Sequence, residues 1–265
     1  MHEKEVVGGK IHPLSVTTVF IEMLFNETLL ATGTAFFVSS NKGPVLITNW
    51  HNLTGRNPET NECLSKHCAV PNLVRVKLLG PHQPLWFKFD LERNGKPVWV
   101  EHSIYGAQVD VVGVLLPELK EYVMHYVGID EGWCRLDVAD RVHIVGYPFG
   151  IHDNFAIWAT GFVASEPETD YRNLPAFLVD CRARKGQSGS LVLSLIKPGD
   201  AKLHHGKLWA AQKEMVHYLG IYSGRINKDS DLGIVWKKGV LRDIVNTINT
   251  SRDIVSAMSS TFSGV

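Results

Sequence analysis

Short apolar runs rich in Val, Ile, Leu and Phe, broken by Gly, Pro, Asn and Asp, recur along almost the whole chain. β-branched and aromatic side chains suit a pleated, half-buried surface, and the breakers supply the backbone angles of tight turns. Runs at about ten-residue spacing point to an antiparallel sandwich or barrel and away from a fold of alternating strands and helices. Expected strands cover 15–24, 30–39, 45–50, 73–79, 98–102 and 109–116, then 141–146, 156–164, 176–180, 190–195, 218–223 and 233–236. One segment near the end reads as a helix, because Val240, Leu241, Ile244, Val245 and Ile248 share one face.

Half of the expected strands precede Pro117 and half follow Asp130, and the intervening PELKEYVMHYVGID lacks the period-2 pattern. The expected organisation is an extension (1–13), a first six-stranded barrel (14–118), a connection (119–130), a second six-stranded barrel with the helix (131–250) and a tail (251–265). The fold class is all-β, with two antiparallel barrels.

Composition narrows the function. The 27 basic and 27 acidic residues cancel, so no overall positive field gathers phosphates and no nucleic-acid partner is expected. Apolar residues at 45% exclude a disordered chain. No run approaches the roughly 18 apolar residues of a membrane helix, and MHEKEVVGGK lacks a signal-peptide core. Four cysteines are too few for a disulfide scaffold. The expectation is a soluble, cytoplasmic protein with reduced thiols.

Three segments carry chemistry. In Lys185-Gly186-Gln187-Ser188-Gly189-Ser190, glycines flank a serine, so the backbone turns sharply and leaves N–H groups free for a developing oxyanion. The hydrolase elbow G-x-S-x-G does not fit, because Ser190 holds the fifth position and the following LVLSLI reads as a strand. A serine nucleophile needs a base. His51 follows the buried-strand pattern VLITNW, at what would be a barrel rim. Asp110 opens the apolar run VVGVLL, where a partly buried carboxylate fixes an imidazole tautomer.

These segments, in the order His, Asp, Ser, resemble the trypsin/chymotrypsin-like serine proteases, and above all the short bacterial branch with the Deg-type enzymes. The resemblance rests on GTAFFV and VLITNWH, VDVVGVLLP, and DCRARKGQSGSLV, and continues through VHIVGYPFG, ATGFVAS, LGIYSGRI and LGIVW. It implies Ser188 as nucleophile, His51 as general base and acid, Asp110 as its orienter, and the N–H groups of Gly186 and Ser188 as the oxyanion hole. It implies substrate binding along Ser223, Gly224 and Arg225, with the Ser223 hydroxyl supporting Asp110. Arg182 falls at the base of the specificity pocket, which suggests an acidic residue before the scissile bond. Outward-facing arginines or an arginine-blocked pocket are the alternatives.

The departures are informative. Gln187 stands where secreted relatives carry an aspartate that pairs with a freshly cut N-terminus, so Val6-Val-Gly-Gly reads as a chance likeness and no propeptide removal is expected. Trp50 replaces a small residue and is expected to narrow the cleft. Cys63 and Cys68 with His67 fall short of a zinc pattern; two loop thiols are expected, with a loop disulfide as the alternative. Cys134 and Cys181 read as buried, and His204-His205 as a hairpin tip. No metal and no cofactor are implied.

The function expected is restricted cleavage of protein or peptide substrates through an acyl-enzyme. The rivals are a catalytically silent or partner-activated peptide-binding module, and an esterase.

Overall fold

The structure, a computed structural model, describes residues 11–80, 83–122, 125–129, 135–152, 155–204, 207–227, 229–251 and 253–254. The Val6-Val-Gly-Gly likeness, Cys134, His205 and most of the tail lie outside these residues.

The first half folds as β1 (Thr18–Phe25), β2 (Thr28–Ser40), β3 (Gly43–Thr48), the short helix α1 (Trp50–Thr54), β4 (Leu73–Leu78), β5 (Leu85–Asp90), a hairpin of β6 (Glu92–Arg93) and β7 (Lys96–Pro97), β8 (Trp99–Glu101) and β9 (Val112–Leu115). Seven strands form one curled antiparallel sheet in the order β5-β4-β1-β2-β3-β9-β8. The second half contributes β10 (Arg141–Gly146), β11 (Ile157–Val163), β12 (Ala176–Asp180), β13 (Leu191–Ile196), a hairpin of β14 (Ala201–His204) and β15 (Lys207–Ala210), β16 (Met215–Arg225), β17 (Leu232–Lys237) and α2 (Lys238–Thr250). Here β10-β11-β12-β17-β16-β13 close into a six-stranded barrel. The architecture is the chymotrypsin-like pair of β-barrels, the first of them a curled half-barrel.

Three apolar cores hold it together. One fills the curled sheet around Ile21, Phe37, Leu46 and Phe87. Another fills the closed barrel around Val142, Phe177, Val192 and Tyr222. The third joins them: Phe20, Phe36 and Ile47 from the first sheet meet Val145, Leu191 and Trp236 from the second. Val240, Leu241, Ile244, Val245 and Ile248 of α2 belong to this shared core, so the helical stripe read from sequence locks the two sheets together. Burying such side chains stabilises by roughly 1.5–3 kcal/mol each, which makes the interface between barrels a rigid base for a site.

Several elements differ from expectation. Strand β5 was not foreseen. Its sequence LWFKFD alternates, but Lys88 and Asp90 break the apolar run, and its pairing with β4 is what completes it. The strand expected through Trp50 stops at Thr48, where Asn49 stays extended (ψ 148°) and α1 begins. Gly55, left-handed at φ 66°, ends that helix with its N–H on the His51 carbonyl. Cys63 and Cys68 are joined as a disulfide, which corrects the expectation of two loop thiols. Cys181 is buried, as the sequence suggested. Among the described residues no helix is long and apolar enough to cross a membrane, and no group of three or more His, Cys, Asp or Glu side chains could hold a metal ion.

Candidate active site

His51 projects from α1, three residues past the end of β3, while Asp110 precedes β9, the strand hydrogen-bonded to β3. Neighbouring strands thus bring together residues 59 apart in sequence. His51 Nδ1 lies 2.6 Å from Asp110 Oδ2, and the His51 backbone N–H donates to Asp110 Oδ1 at 2.9 Å. The Ser223 hydroxyl, from β16 of the other barrel, donates to Asp110 Oδ2. The Asn49 amide donates to the Asp110 carbonyl at 2.7 Å. The carboxylate side chain is 1% exposed and the imidazole 17%. A carboxylate this buried and this fully bonded holds the ring in one orientation, with Nδ1–H toward Asp110 and Nε2 toward the cleft.

His102 follows β8. Its Nδ1 accepts the N–H groups of Ile104 (3.2 Å) and Tyr105 (3.3 Å), and its Nε2 lies 3.4 Å from the Asp243 carboxylate on α2. Trp50 does not narrow the cleft. Its indole turns into the first core and donates to Glu101 Oε1 at 2.8 Å.

Ser188 lies in the turn between β12 and β13. Its hydroxyl donates to the Ser223 carbonyl at 2.9 Å. It shares a cavity of about 600 Å³ with His51, so both side chains face the same space. The turn is held largely by its backbone carbonyls. Phe149 N–H donates to the Lys185 carbonyl at 2.6 Å, the Thr34 hydroxyl to the Gly186 carbonyl at 2.9 Å, and Thr34 N–H to the Ser188 carbonyl at 2.9 Å. Because all the described peptide bonds are trans, a carbonyl tied in one direction sends the N–H of its own peptide in the other. The Gly186 N–H therefore points away from Phe149. Among the described residues neither Gly186 N–H nor Ser188 N–H has a hydrogen-bond acceptor.

Two glycines make this possible. Gly186 has φ 90°, and a Cβ there would lie 2.4 Å from the Tyr147 carbonyl oxygen. Gly189 has φ 88°, and a Cβ there would lie 1.9 Å from the Thr34 carbonyl oxygen. A side chain at Gly186 would push the turn off the segment after β10, and one at Gly189 would push it off β2 of the opposite barrel. Gln187 fills the interior of the turn at 1% exposure, with Oε1 accepting Arg184 N–H at 2.7 Å, so the turn is braced from within.

Thr34, Asn49 and Phe149 were not singled out from sequence as site residues. Thr34 also accepts Tyr147 N–H at 3.0 Å, and its carbonyl accepts the Thr48 hydroxyl at 2.9 Å. Asn52 reaches both Thr48 Oγ1 (3.0 Å) and the Ser188 carbonyl (3.3 Å). These roles depend on contacts across the two barrels, which residue type does not announce. Arg182 and Arg225 are exposed, and Gly224 half-buried. None of these three lines the 600 Å³ cavity. Just past the end of β12, Cys181 and Ala183 are buried and Arg182 is exposed.

No family model matches the sequence, and no curated protein is significantly similar to it. Solved structures are similar in fold. The Rv3671c protease of M. tuberculosis in its active form superposes with a TM-score of 0.51 at 17% identity, over 92% of this chain and 87% of that one. A serine endoprotease from Yersinia pestis gives 0.54 at 13% identity, over 90% of this chain and 64% of its own. The HtrA-type protease AlgW, solved with a tripeptide, gives 0.51 at 13%, over 89% of this chain and 61% of its own. The present chain thus spans less than two thirds of the last two. The shared fold is that of the trypsin-like HtrA/Deg-type serine proteases, the branch to which the sequence motifs pointed.

Proposed function

We propose that this protein is a serine endopeptidase. The observation that carries the reading is that His51, paired with Asp110 at 2.6 Å, lines one cavity with Ser188, beside two N–H groups that have no acceptor among the described residues. Ser188 Oγ attacks a peptide carbonyl while His51 Nε2 takes its proton. Asp110 stabilises the imidazolium, and the N–H groups of Gly186 and Ser188 receive the oxyanion. His51 then protonates the leaving amine, and a water activated by His51 hydrolyses the acyl-enzyme.

The resting hydroxyl is bonded to the Ser223 carbonyl. A substrate strand lying along Ser223, Gly224 and Arg225 offers its own N–H to that carbonyl. The exchange frees Ser188 Oγ to turn toward His51, so substrate binding and nucleophile alignment are one event. The same hydroxyl position favours the second reading, in which a protein partner is needed to align the site. The substrates are protein or peptide chains, and no step calls for a cofactor.

A fluorophosphonate probe tests the proposal. Wild type is expected to label on Ser188, with labelling lost in Ser188→Ala and reduced at least about 100-fold in His51→Ala, since both residues act in one proton transfer. Absence of labelling with and without added peptide would overturn the enzyme reading and leave a silent binding module.

A further inference from the structure

Two separate cavities adjoin the site. One, of about 350 Å³, is lined by Asp110, Ser223, Ile234 and Trp236 among others. The other is the 600 Å³ cavity lined by His51 and Ser188, and it takes no residue from β16 or β17. The two share no lining residue, and Ser223 lines only the first. If the acyl half of a peptide follows the Ser223–Arg225 segment, the amine half that leaves enters this larger cavity.

The two sides differ in chemistry. The larger cavity has apolar walls that include Leu30, Ala69 and Pro71; among the described residues its lining holds no carboxylate, and Lys185 is its one lysine or arginine. At its edge stand two side chains that water does not explain: Leu64 is 56% exposed and Phe149 67% exposed. Exposed large apolar groups around a concave site are a recognition signal. Leu64 is held in place by its N–H on the Gly55 carbonyl at 2.9 Å and by the adjacent Cys63–Cys68 disulfide. On the acyl side Arg182 and Arg225 are exposed and line neither cavity. The barrel interior beside Ser223 is filled by the Tyr222 ring, which is 2% exposed and packs so closely on Gly233 that a Cβ there would lie 2.4 Å from it.

We propose that this protein selects substrates chiefly by the residues that follow the scissile bond, and that these are apolar, with lysine and arginine the least accepted. The inference rests on the acyl-transfer reading above and assigns the 600 Å³ cavity to the leaving half of the peptide.

Partitioning of an acetyl-enzyme tests it without knowledge of the natural substrate. p-Nitrophenyl acetate acetylates Ser188 Oγ and releases p-nitrophenol. An added amine then attacks the acetyl carbon: the C–N bond forms, the C–Oγ bond breaks, and the amine proton passes through His51 back to Ser188 Oγ. Leucinamide and phenylalaninamide are compared with lysinamide and argininamide at equal concentration, and the N-acetyl products are measured against acetate. The apolar amides are expected to capture the acetyl group at least about tenfold more efficiently, the scale set by apolar side chains in a shaped pocket. Leu64→Asp, which puts a carboxylate at the edge, is expected to shift the preference toward the cationic amides. The measure is a ratio within each variant, so loss of folded or active protein cancels. Equal capture of all four amides by wild type, or an unchanged ratio in Leu64→Asp, overturns the proposal. If no acetyl-enzyme forms in wild type, the acyl-transfer reading itself falls and the proposal with it, whereas an acetyl-enzyme without amine preference removes the selectivity alone.

Discussion

The two ends of the His51 relay are built differently. At the acid end, Asp110 is buried and its two oxygens receive the His51 N–H, the His51 ring and the Ser223 hydroxyl, while Asn49 holds its carbonyl. At the nucleophile end, the Ser188 hydroxyl donates to the Ser223 carbonyl, and among the described residues the N–H groups of Gly186 and Ser188 have no acceptor. The acid end is saturated and fixed. The nucleophile end is held by its carbonyls and leaves its reactive groups free to exchange partners. The difference follows from their tasks: one end must not move during proton transfer, and the other must make new bonds in the transition state.

The largest expected effect comes from breaking the saturated end. Asp110→Asn keeps the shape but removes the charge and presents an N–H where an acceptor is needed, so the imidazole takes the wrong tautomer. Ester turnover is expected to fall on the order of 10⁴-fold, the scale known for this exchange in a Ser-His-Asp site. A fall of less than tenfold would mean that Asp110 does not orient the base.

A smaller effect is expected from loosening the nucleophile end. Thr34→Val removes the hydroxyl that holds the Gly186 carbonyl and accepts Tyr147 N–H, but leaves the Thr34 N–H on the Ser188 carbonyl. Misplacing one oxyanion donor is expected to lower kcat by about 10- to 100-fold, below the cost of deleting a donor outright, with KM little changed. Thr34→Ser should restore most of the rate. A merely structural role would lower stability in both variants and give no such rescue.

The smallest effect asks whether the freedom of the nucleophile end reaches into the barrel beneath it. Burial raises the Cys181 thiol from its ordinary 9.0 to about 11 and the Tyr147 hydroxyl from 10.0 to about 12. Below pH about 8 both groups are essentially neutral in folded and unfolded chains alike. Above it the unfolded chain gives up protons that the folded barrel keeps, so stability falls as pH rises toward 11 and then 12. Denaturant midpoints should therefore drop between pH about 8.5 and about 10.5, in step with the unfolded thiol titrating first. A flat midpoint over that window would place Cys181 within reach of solvent and the looseness inside the barrel.

Much of the fold was legible because period and breakers encode it directly. The α2 stripe from Val240 to Ile248 and the strands around GTAFFV, VVGVLL and LVLSLI follow from alternation or helical spacing alone. Strand β5 was missed because Lys88 and Asp90 interrupt its run, and only the β4 partner makes it a strand. The seven-stranded first sheet follows from that addition. Trp50, which opens the helical turn carrying His51, was read as the end of a strand, since VLITNW continues the apolar pattern while Asn49 and Gly55 set the boundaries. The Cys63–Cys68 bridge was weighed and set aside, because five residues of spacing do not say whether a loop folds back on itself.

Residue type and order alone determined that the chain would be β-rich, that a histidine, an aspartate and a serine would stand in that order next to apolar strands, and that the serine turn needed glycines. These are local demands, met by backbone angles and side-chain periodicity. Only the tertiary structure decided which way Ser188 turns, that Thr34 from the opposite barrel clamps the serine turn, that Arg182 faces water and that Leu64 and Phe149 edge an apolar cavity beside His51. The clamp depends on how two sheets meet across a shared core, and a contact between residues 152 positions apart leaves no periodic trace in the chain.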